Sequence, residues 1–225
     1  MEEARARLQA EGVPLVEDPG WRDPTHDAEV CFLDPNGLTG RLFSRDPTVL
    51  RNEGPLFSSK ESLGIGVQKI IPHHLGHIGI QVPDAQATAA FYTEKAGLRL
   101  TEWNNAGIYF LRAGRDHHGL GLVPNPEGAG VVYHHVAWDI GNMTDLWNCG
   151  EFLRERDIPI SLGPGWWEQG HQTELNFLDP DGQRIEIYCH IDQVADDAEP
   201  VGPSPAFFHS FSFDERFDPH AVRTG

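Results

Sequence analysis

Apolar and polar residues alternate in two segments of similar pattern, 76–82 (GHIGIQV) and 134–140 (HHVAWDI). In each segment one set of alternate positions is apolar, and the other set runs histidine, small residue, polar residue. Because successive side chains of a strand point to opposite faces of a sheet, each segment predicts a strand with one apolar face. The comparison makes His77 and His135 equivalent, and it directs His134 to the opposite face.

The residues after these two strands repeat as well. Each strand is followed by a helical pattern, over 83–98 in the first copy and 142–158 in the second. Further strand patterns then follow, at 107–112, 117–123, 173–179 and 183–190. The repeat predicts a βαβββ unit that occurs twice, and therefore an α+β fold of tandem modules.

A third, partial copy is present near the N-terminus, where 31–43 (CFLDPNGLTGRLF) resembles 176–188 (NFLDPDGQRIEIY). Its opening strand is missing, so we expect the chain to begin within a module; a shortened chain, a misplaced start and a natural reduction would all explain this. The expected organisation is a partial N-terminal module without a metal site, a linker, a catalytic domain of two modules and a tail. These parts cover residues 1–45, 46–72, 73–190 and 191–225, respectively.

Composition restricts the classes of partner. The chain has 225 residues with a formal net charge of −17, which disfavours binding to nucleic acid or to an anionic membrane surface. No segment has the roughly 20 consecutive apolar residues of a membrane span, and the charged N-terminus is not a secretory signal. Three cysteines without a C-x-x-C pair are typical of reduced thiols. We therefore expect a cytoplasmic protein.

The candidate chemistry lies on the polar faces of the predicted strands. Glu186 alternates with Ile185 and Ile187, so its carboxylate faces away from them. Together with His77 and His135 it forms a set of two histidines and one carboxylate, which is typical of non-haem Fe(II) sites, although Mn(II) accepts the same ligands. A single strand histidine is more often a hydrogen-bonded core or surface residue. Two histidines at equivalent positions of a repeat favour the metal site.

Four stretches resemble the vicinal oxygen chelate superfamily, and within it the type I extradiol (catechol 2,3-) dioxygenases. They are LGHIGIQVPDAQATAAFYTEKAGLRL, RDHHGLGLVP, YHHVAWDI and FLDPDGQRIEIY. The resemblance implies that His77, His135 and Glu186 bind Fe(II), and that His118 is a catalytic acid–base group while His117 points away. It also implies O2-dependent cleavage of a catechol-type aromatic ring beside its diol. Paired modules of this superfamily often assemble, so a homo-oligomer is expected.

This chain departs from the family pattern at two places that are expected to bind substrate. Asn176 stands where family members usually have a tyrosine, ten residues before the ligand glutamate. Trp167 occupies the usual place of a histidine, unless an insertion gives that role to His171. Two other functions remain open: a glyoxalase- or isomerase-like enzyme that uses the metal as a Lewis acid, and a non-catalytic small-molecule binding protein of the same fold.

Overall fold

The structure is a computed structural model that describes residues 1–17, 26–45, 72–125 and 130–211. The predicted linker 46–72, apart from Pro72, and residues 212–225 of the predicted tail lie outside this description. The described residues form a mixed α+β structure, which confirms the predicted fold class. Within them, no helix is long and apolar enough to cross a membrane.

The elements of secondary structure follow one another as a short N-terminal set and two successive modules. In chain order they are α1 Glu2–Ala10, β1 Leu15–Val16, β2 His26–Leu33, β3 Thr39–Arg45, β4 His74–Val82, α2 Ala85–Phe91 with a π-helical turn Tyr92–Ala96, β5 Arg99–Asn104, β6 Tyr109–Arg112, β7 Leu120–Pro124, β8 Val132–Asp139, α3 Met143–Glu155, β9 Ile160–Trp167, β10 Thr173–Leu178, β11 Arg184–Cys189, β12 Val201–Ser204 and β13 Phe208–Ser210.

The chain divides into two units, of which the first contains Met1–Leu63 and Gln86–Leu98. In this unit β1, β2 and β3 form an antiparallel sheet in that order. Leu8 of α1 and Phe32 of β2 are buried in its core, and Phe91 of α2 packs against them. The first unit therefore has a small hydrophobic core of its own.

The turn of the partial copy has the same design as its counterpart in the second module. Asp34 accepts hydrogen bonds from the backbone N–H groups two and four residues later, and Asp179 does the same. Each aspartate thereby fixes the turn between two strands. Arg41 stands at the position that Glu186 has in the second module, and it forms an ion pair with Glu29 at 3.3 Å.

The second unit, Gly64–Ala85 with Arg99–Gly225, is built on one ten-stranded sheet. The strand order is β12-β5-β6-β7-β4-β8-β11-β10-β9-β13. Within each module the first and last strands are parallel neighbours, β4 with β7 and β8 with β11, and the antiparallel pair β4–β8 joins the modules. This is the predicted βαβββ arrangement. The pattern missed β5 and β9, whose sequences RLTEWN and ISLGPGWW do not alternate regularly.

Helix α3 covers one face of the second module. Asn142 caps it, since its side chain accepts a hydrogen bond from the backbone N–H of Asp145 at 3.0 Å. The buried cluster beneath it contains Ile140, Leu146, Leu153, Leu175, Ile187 and Cys189. Because Leu175 and Ile187 face this cluster, their strand neighbours Asn176 and Glu186 face the other side of the sheet.

Residues 201–210, which we name the C-terminal strap, connect the two edges of the large sheet. β12 pairs with β5 at one end of the strand order, and β13 pairs with β9 at the other end. The three residues between β12 and β13 span at most roughly 14 Å, so the two edges lie close together and the sheet is curled. The aromatic part of the strap packs on β9, where His209 stacks on Trp166 with ring centroids 4.0 Å apart.

Candidate metal centre and its cavity

Three neighbouring strands bring His77, His135 and Glu186 together. β4 carries His77, β8 carries His135, and β11 carries Glu186 beside β8. The Nε2 atom of His77 lies 3.2 Å from Oε1 of Glu186, and Nε2 of His135 lies 3.6 Å from Oε2. The potential ligand atoms of all three residues lie within 4.8 Å of one another. The strand register therefore creates a compact donor set from residues far apart in the chain.

Burial determines the protonation of this donor set. Burial lowers the pKa of His77 to about 4, and it also holds the pKa of His135 well below its usual range, helped by the neighbouring His77. Both imidazoles are therefore neutral near pH 7. Burial also raises the pKa of the Glu186 carboxyl to about 8, so this group ionises near neutral pH only if a positive charge lies beside it.

The donor set fits a divalent metal ion. Metal ligation needs neutral imidazoles and an ionised carboxylate, and a divalent cation provides the charge that the buried carboxylate of Glu186 needs. The Nε2 atom of His135 and the Nδ1 atom of His77 are buried without a hydrogen bond. Two histidines and one carboxylate leave open positions on such an ion and suit Fe(II) or Mn(II).

The prediction that His134 faces away from the site is wrong. The pairing of β8 with β4 is irregular at this point, because Gly79 is opposite His135 whereas the next residue, Ile80, is opposite Tyr133. His134 is thus the extra residue of a β-bulge, which breaks the alternation of side chains. Its side chain turns into the cavity beside His135, with ring centroids 4.8 Å apart.

His134 connects the donor set to Arg184. Its Nδ1 atom lies 2.6 Å from Nδ1 of His135, and its Nε2 atom lies 3.3 Å from Nη1 of Arg184. Burial first, and the charge of Arg184 second, lower the pKa of His134 to about 4. The two neutral rings therefore share one proton between their Nδ1 atoms.

His118 lies beside the donor set, and two further residues orient it. Its ring centroid is 4.2 Å from that of His77, and its Nδ1 atom is 3.1 Å from Nδ1 of His117. Nε2 of His117 donates to the carboxylate of Glu102 at 3.0 Å, so Nδ1 of His117 accepts from Nδ1–H of His118. This leaves Nε2 of His118 without a proton. Burial, and then the neighbouring histidines, hold the pKa of His118 well below its usual range.

A cavity opens over the donor set and has an apolar and a polar wall. The apolar wall consists of Ile108, Phe110, Val123, Leu162 and Trp167. Gln169, Gln172, Glu174, Asn176 and Arg184 line the remainder together with the histidines and Glu186. Of the residues expected to bind substrate, Trp167 and Asn176 therefore lie at the cavity. His171 does not, because it occupies a turn with φ 46° and its exposed ring contacts Asp192 at 2.7 Å.

A hydrogen-bonded network that the sequence pattern did not predict surrounds the carboxylate of Glu186. The amide of Gln172 donates to Glu174 at 2.7 Å and to Glu186 at 2.8 Å, and Asn176 donates to Glu174 at 2.9 Å. Burial, and next the charge of Glu186, raise the pKa of Glu174 to about 8. Alternation along TELNFL places Glu174 and Asn176 on one face, which was the available signal.

The profile of the Glyoxalase/Bleomycin resistance protein/Dioxygenase superfamily matches residues 74–187. This segment contains both modules except for the last two residues of β11, and it contains all three residues of the donor set.

Two curated relatives and one solved structure are similar to this chain. The chain is 29% identical over 208 residues to metapyrocatechase 2 of Cupriavidus necator, covering 88% of this chain and 63% of that protein. It is 24% identical to an iron-dependent extradiol dioxygenase of Rhodococcus jostii, covering 88% of this chain and 68% of the relative. A Mn(II)-bound glyoxalase of Novosphingobium aromaticivorans has the same fold, with a TM-score of 0.69 and 23% identity over 88% of this chain and 61% of that one. The chain thus spans less than two thirds of the length of the first of these relatives.

Proposed function

The chain belongs to the Glyoxalase/Bleomycin resistance protein/Dioxygenase superfamily, and on this basis we propose that it is an extradiol dioxygenase that cleaves a catechol-type aromatic ring. In this proposal His77, His135 and Glu186 hold Fe(II), with Mn(II) as the alternative, and residues 73–190 form the catalytic domain. The observation that supports it most is the place of His118, which shares the cavity with the donor set and has a free Nε2 atom.

Held by His77, His135 and Glu186, the metal ion would supply a Lewis-acidic centre for the diol and a route for electron density between substrate and O2. Nε2 of His118 accepts the proton of a catechol hydroxyl, since its Nδ1–H is engaged with His117. The same Nε2–H then returns the proton to the product. Glu102 and His117 act as positioning residues, because they fix which nitrogen of His118 carries the proton.

The apolar wall is suited to an aromatic ring. Trp167 and Phe110 offer large apolar surfaces on the same cavity as the donor set. Burying the ring against them removes water from the reacting bond and limits the orientations in which the diol reaches the donor set. The proposed net reaction breaks the ring C–C bond next to the diol and incorporates both atoms of O2 into the product.

Glu174 favours a second candidate function. A second carboxyl group in the cavity, besides the ligand Glu186, offers a proton acceptor for an isomerase or lyase that uses the metal only as a Lewis acid. Such an enzyme would not consume O2.

Oxygen consumption separates the two candidates. The protein is loaded with Fe(II), or in parallel with Mn(II), without air, and mixed with a panel of catechols before O2 is admitted. We expect a new visible absorption band and one O2 consumed per substrate, and neither in a Glu186→Ala control. Bound metal without O2 uptake on any catechol would refute the dioxygenase and support the Lewis-acid enzyme. Failure to bind metal would instead favour a non-catalytic binding protein.

A further inference from the structure

Arg184 is the only lysine or arginine among the residues that line the cavity. It is partly buried at the start of β11, and no carboxylate of the described residues lies within 4.0 Å of its guanidinium group. Its contact within the cavity is the imidazole ring of His134, at 3.3 Å. Among the residues that the structure describes, the guanidinium group therefore lacks the anionic partner that a partly desolvated arginine usually has.

The contact with His134 is also incompatible with metal ligation by His135. An imidazole that binds a metal through Nε2 carries its proton on Nδ1, and Nδ1 of His135 faces Nδ1 of His134. Nδ1 of His134 must then accept a hydrogen bond from Nδ1–H of His135. The proton of His134 is therefore on its Nε2 atom, which faces Arg184. Two donors would meet there, so Arg184 needs another acceptor.

The sheet places Arg184 on the same strand and the same face as Glu186 of the donor set. Arg184 and Glu186 are two residues apart on the same face of β11, as are Glu186 and Tyr188. Two residues along a strand span about 7 Å of backbone, so side chains at these two positions can contact opposite ends of one aromatic ring. Glu174 pairs with Tyr188 across the strands, and therefore lies on the other side of Glu186 from Arg184.

We propose that Arg184 receives the carboxylate of the substrate, so that the enzyme acts on catechols that carry an acidic substituent across the ring from the diol. This inference rests on the proposed function, since it takes the diol to lie at the donor set. The substrate carboxylate is the acceptor that Arg184 lacks, and it forms a charge-assisted hydrogen bond with the guanidinium group. At this position the substrate carboxylate lies at the end of the cavity away from Glu174. The repulsion between the two carboxyl groups is weakest there.

Arg184 could instead have a role that does not depend on the substituent of the substrate. Its positive charge could compensate the charge of any catecholate, or could keep His134 and His135 neutral. Either role acts through the charge alone, so Arg184→Lys, which keeps the charge, would leave the ratio of the two affinities unchanged. A partial loss of the ratio in Arg184→Lys therefore isolates the proposed contact.

Isothermal titration calorimetry of the Fe(II)-loaded protein without air tests this with 3,4-dihydroxybenzoate and its uncharged counterpart 3,4-dihydroxybenzamide. We expect the wild type to bind the acid at least about tenfold more tightly than the amide, and Arg184→Met to abolish this preference. Arg184→Lys should retain part of it. Arg154→Met removes a cation from the exposed surface of α3, and should leave the ratio unchanged.

The outcomes are distinct. An equal preference for acid and amide in the wild type, an equal loss of both affinities in Arg184→Met, or no binding of either compound would each overturn the inference. Admitting O2 afterwards, with unsubstituted catechol as a further substrate, tests the proposed function separately. A preference for the acid that depends on Arg184, without O2 uptake, would support the ligand class and refute the reaction.

Discussion

A substitution at Gly79, which is not itself a member of the donor set, tests whether His135 is a metal ligand. Gly79 is opposite His135 across β4 and β8, and a methyl group added there would lie 2.4 Å from Cε1 and 2.6 Å from Nδ1 of the His135 ring. Non-bonded carbon atoms settle about 3.5–4.0 Å apart, so in Gly79→Ala the ring must retreat by about 1 Å. Metal–ligand distances tolerate about 0.2 Å. Gly79 has no positive φ, so alanine itself fits the backbone.

We expect Gly79→Ala to lower the affinity for Mn(II) about 100-fold or more, since loss of a supporting partner alone costs roughly 10–100-fold. The affinity is measured from the paramagnetic resonance signal of free Mn(II) in a titration. Gly121→Ala is the matched control, because Gly121 pairs with Gly79 on the adjacent strand and its added methyl group would have no contact closer than 3.9 Å. This control should bind Mn(II) like the wild type.

Circular dichroism and urea unfolding establish whether the variants fold. If Gly79→Ala is destabilised, the same substitution in a His135→Ala background should cost little, because the group that it displaces is gone. Unchanged Mn(II) affinity in a folded Gly79→Ala protein would refute the assignment of His135 as a ligand.

Four further predictions follow from the site. Glu186→Gln should abolish metal uptake, measured by metal analysis, while the protein still folds, because a neutral amide replaces a carboxyl whose charge burial disfavours. The metal-free protein should lose stability in urea as the pH rises from about 6.5 to about 8, by about 1.4 kcal/mol per pH unit for each of Glu174 and Glu186. The sign follows because these carboxyls keep protons in the folded state that the unfolded chain has lost; below about 6.5, histidines such as His77, with folded pKa values near 4, reverse the slope. His118→Ala should retain the metal in the same analysis but slow ring cleavage ~10²–10⁴-fold in steady-state assays. His171→Ala should change neither the metal content nor the rate, because His171 lies outside the cavity.

The repeat was sufficient to predict the fold, because two strands with the same alternation fix the same module twice. His77 and His135 occupy equivalent strands, and the structure places them side by side. His134 could not be placed in this way, because an alternation argument assumes regular pairing. The bulge in β8 depends on its pairing with β4, and nothing in the sequence VYHHVAWD marks it.

The contacts of Glu102, Glu174 and Asn176 could not be predicted, because they depend on residues that are distant in the sequence or on strands that the pattern missed. Glu102 lies on β5, a strand that the pattern missed, so its link to His117 was not predictable. The carboxyl of Glu174 becomes part of the site only when Gln172 joins it to Glu186 across the sheet. Asn176, at the place of the family's tyrosine, contributes to the same network through Glu174.

The C-terminal strap has a consequence for the order of folding. It pairs with β5 through Val201 and Glu102, and Ser204 donates to the carbonyl oxygen of Trp103, 101 residues away in the chain. Contacts of such large sequence separation carry a high loop-closure entropy and form slowly. The donor set, in contrast, is assembled stepwise through β8, because His77 and Glu186 both lie opposite Ala137, which is 60 and 49 residues away from them in the chain. We therefore expect the metal site to assemble before the strap docks, so that a slow final phase of refolding reports the joining of the two sheet edges.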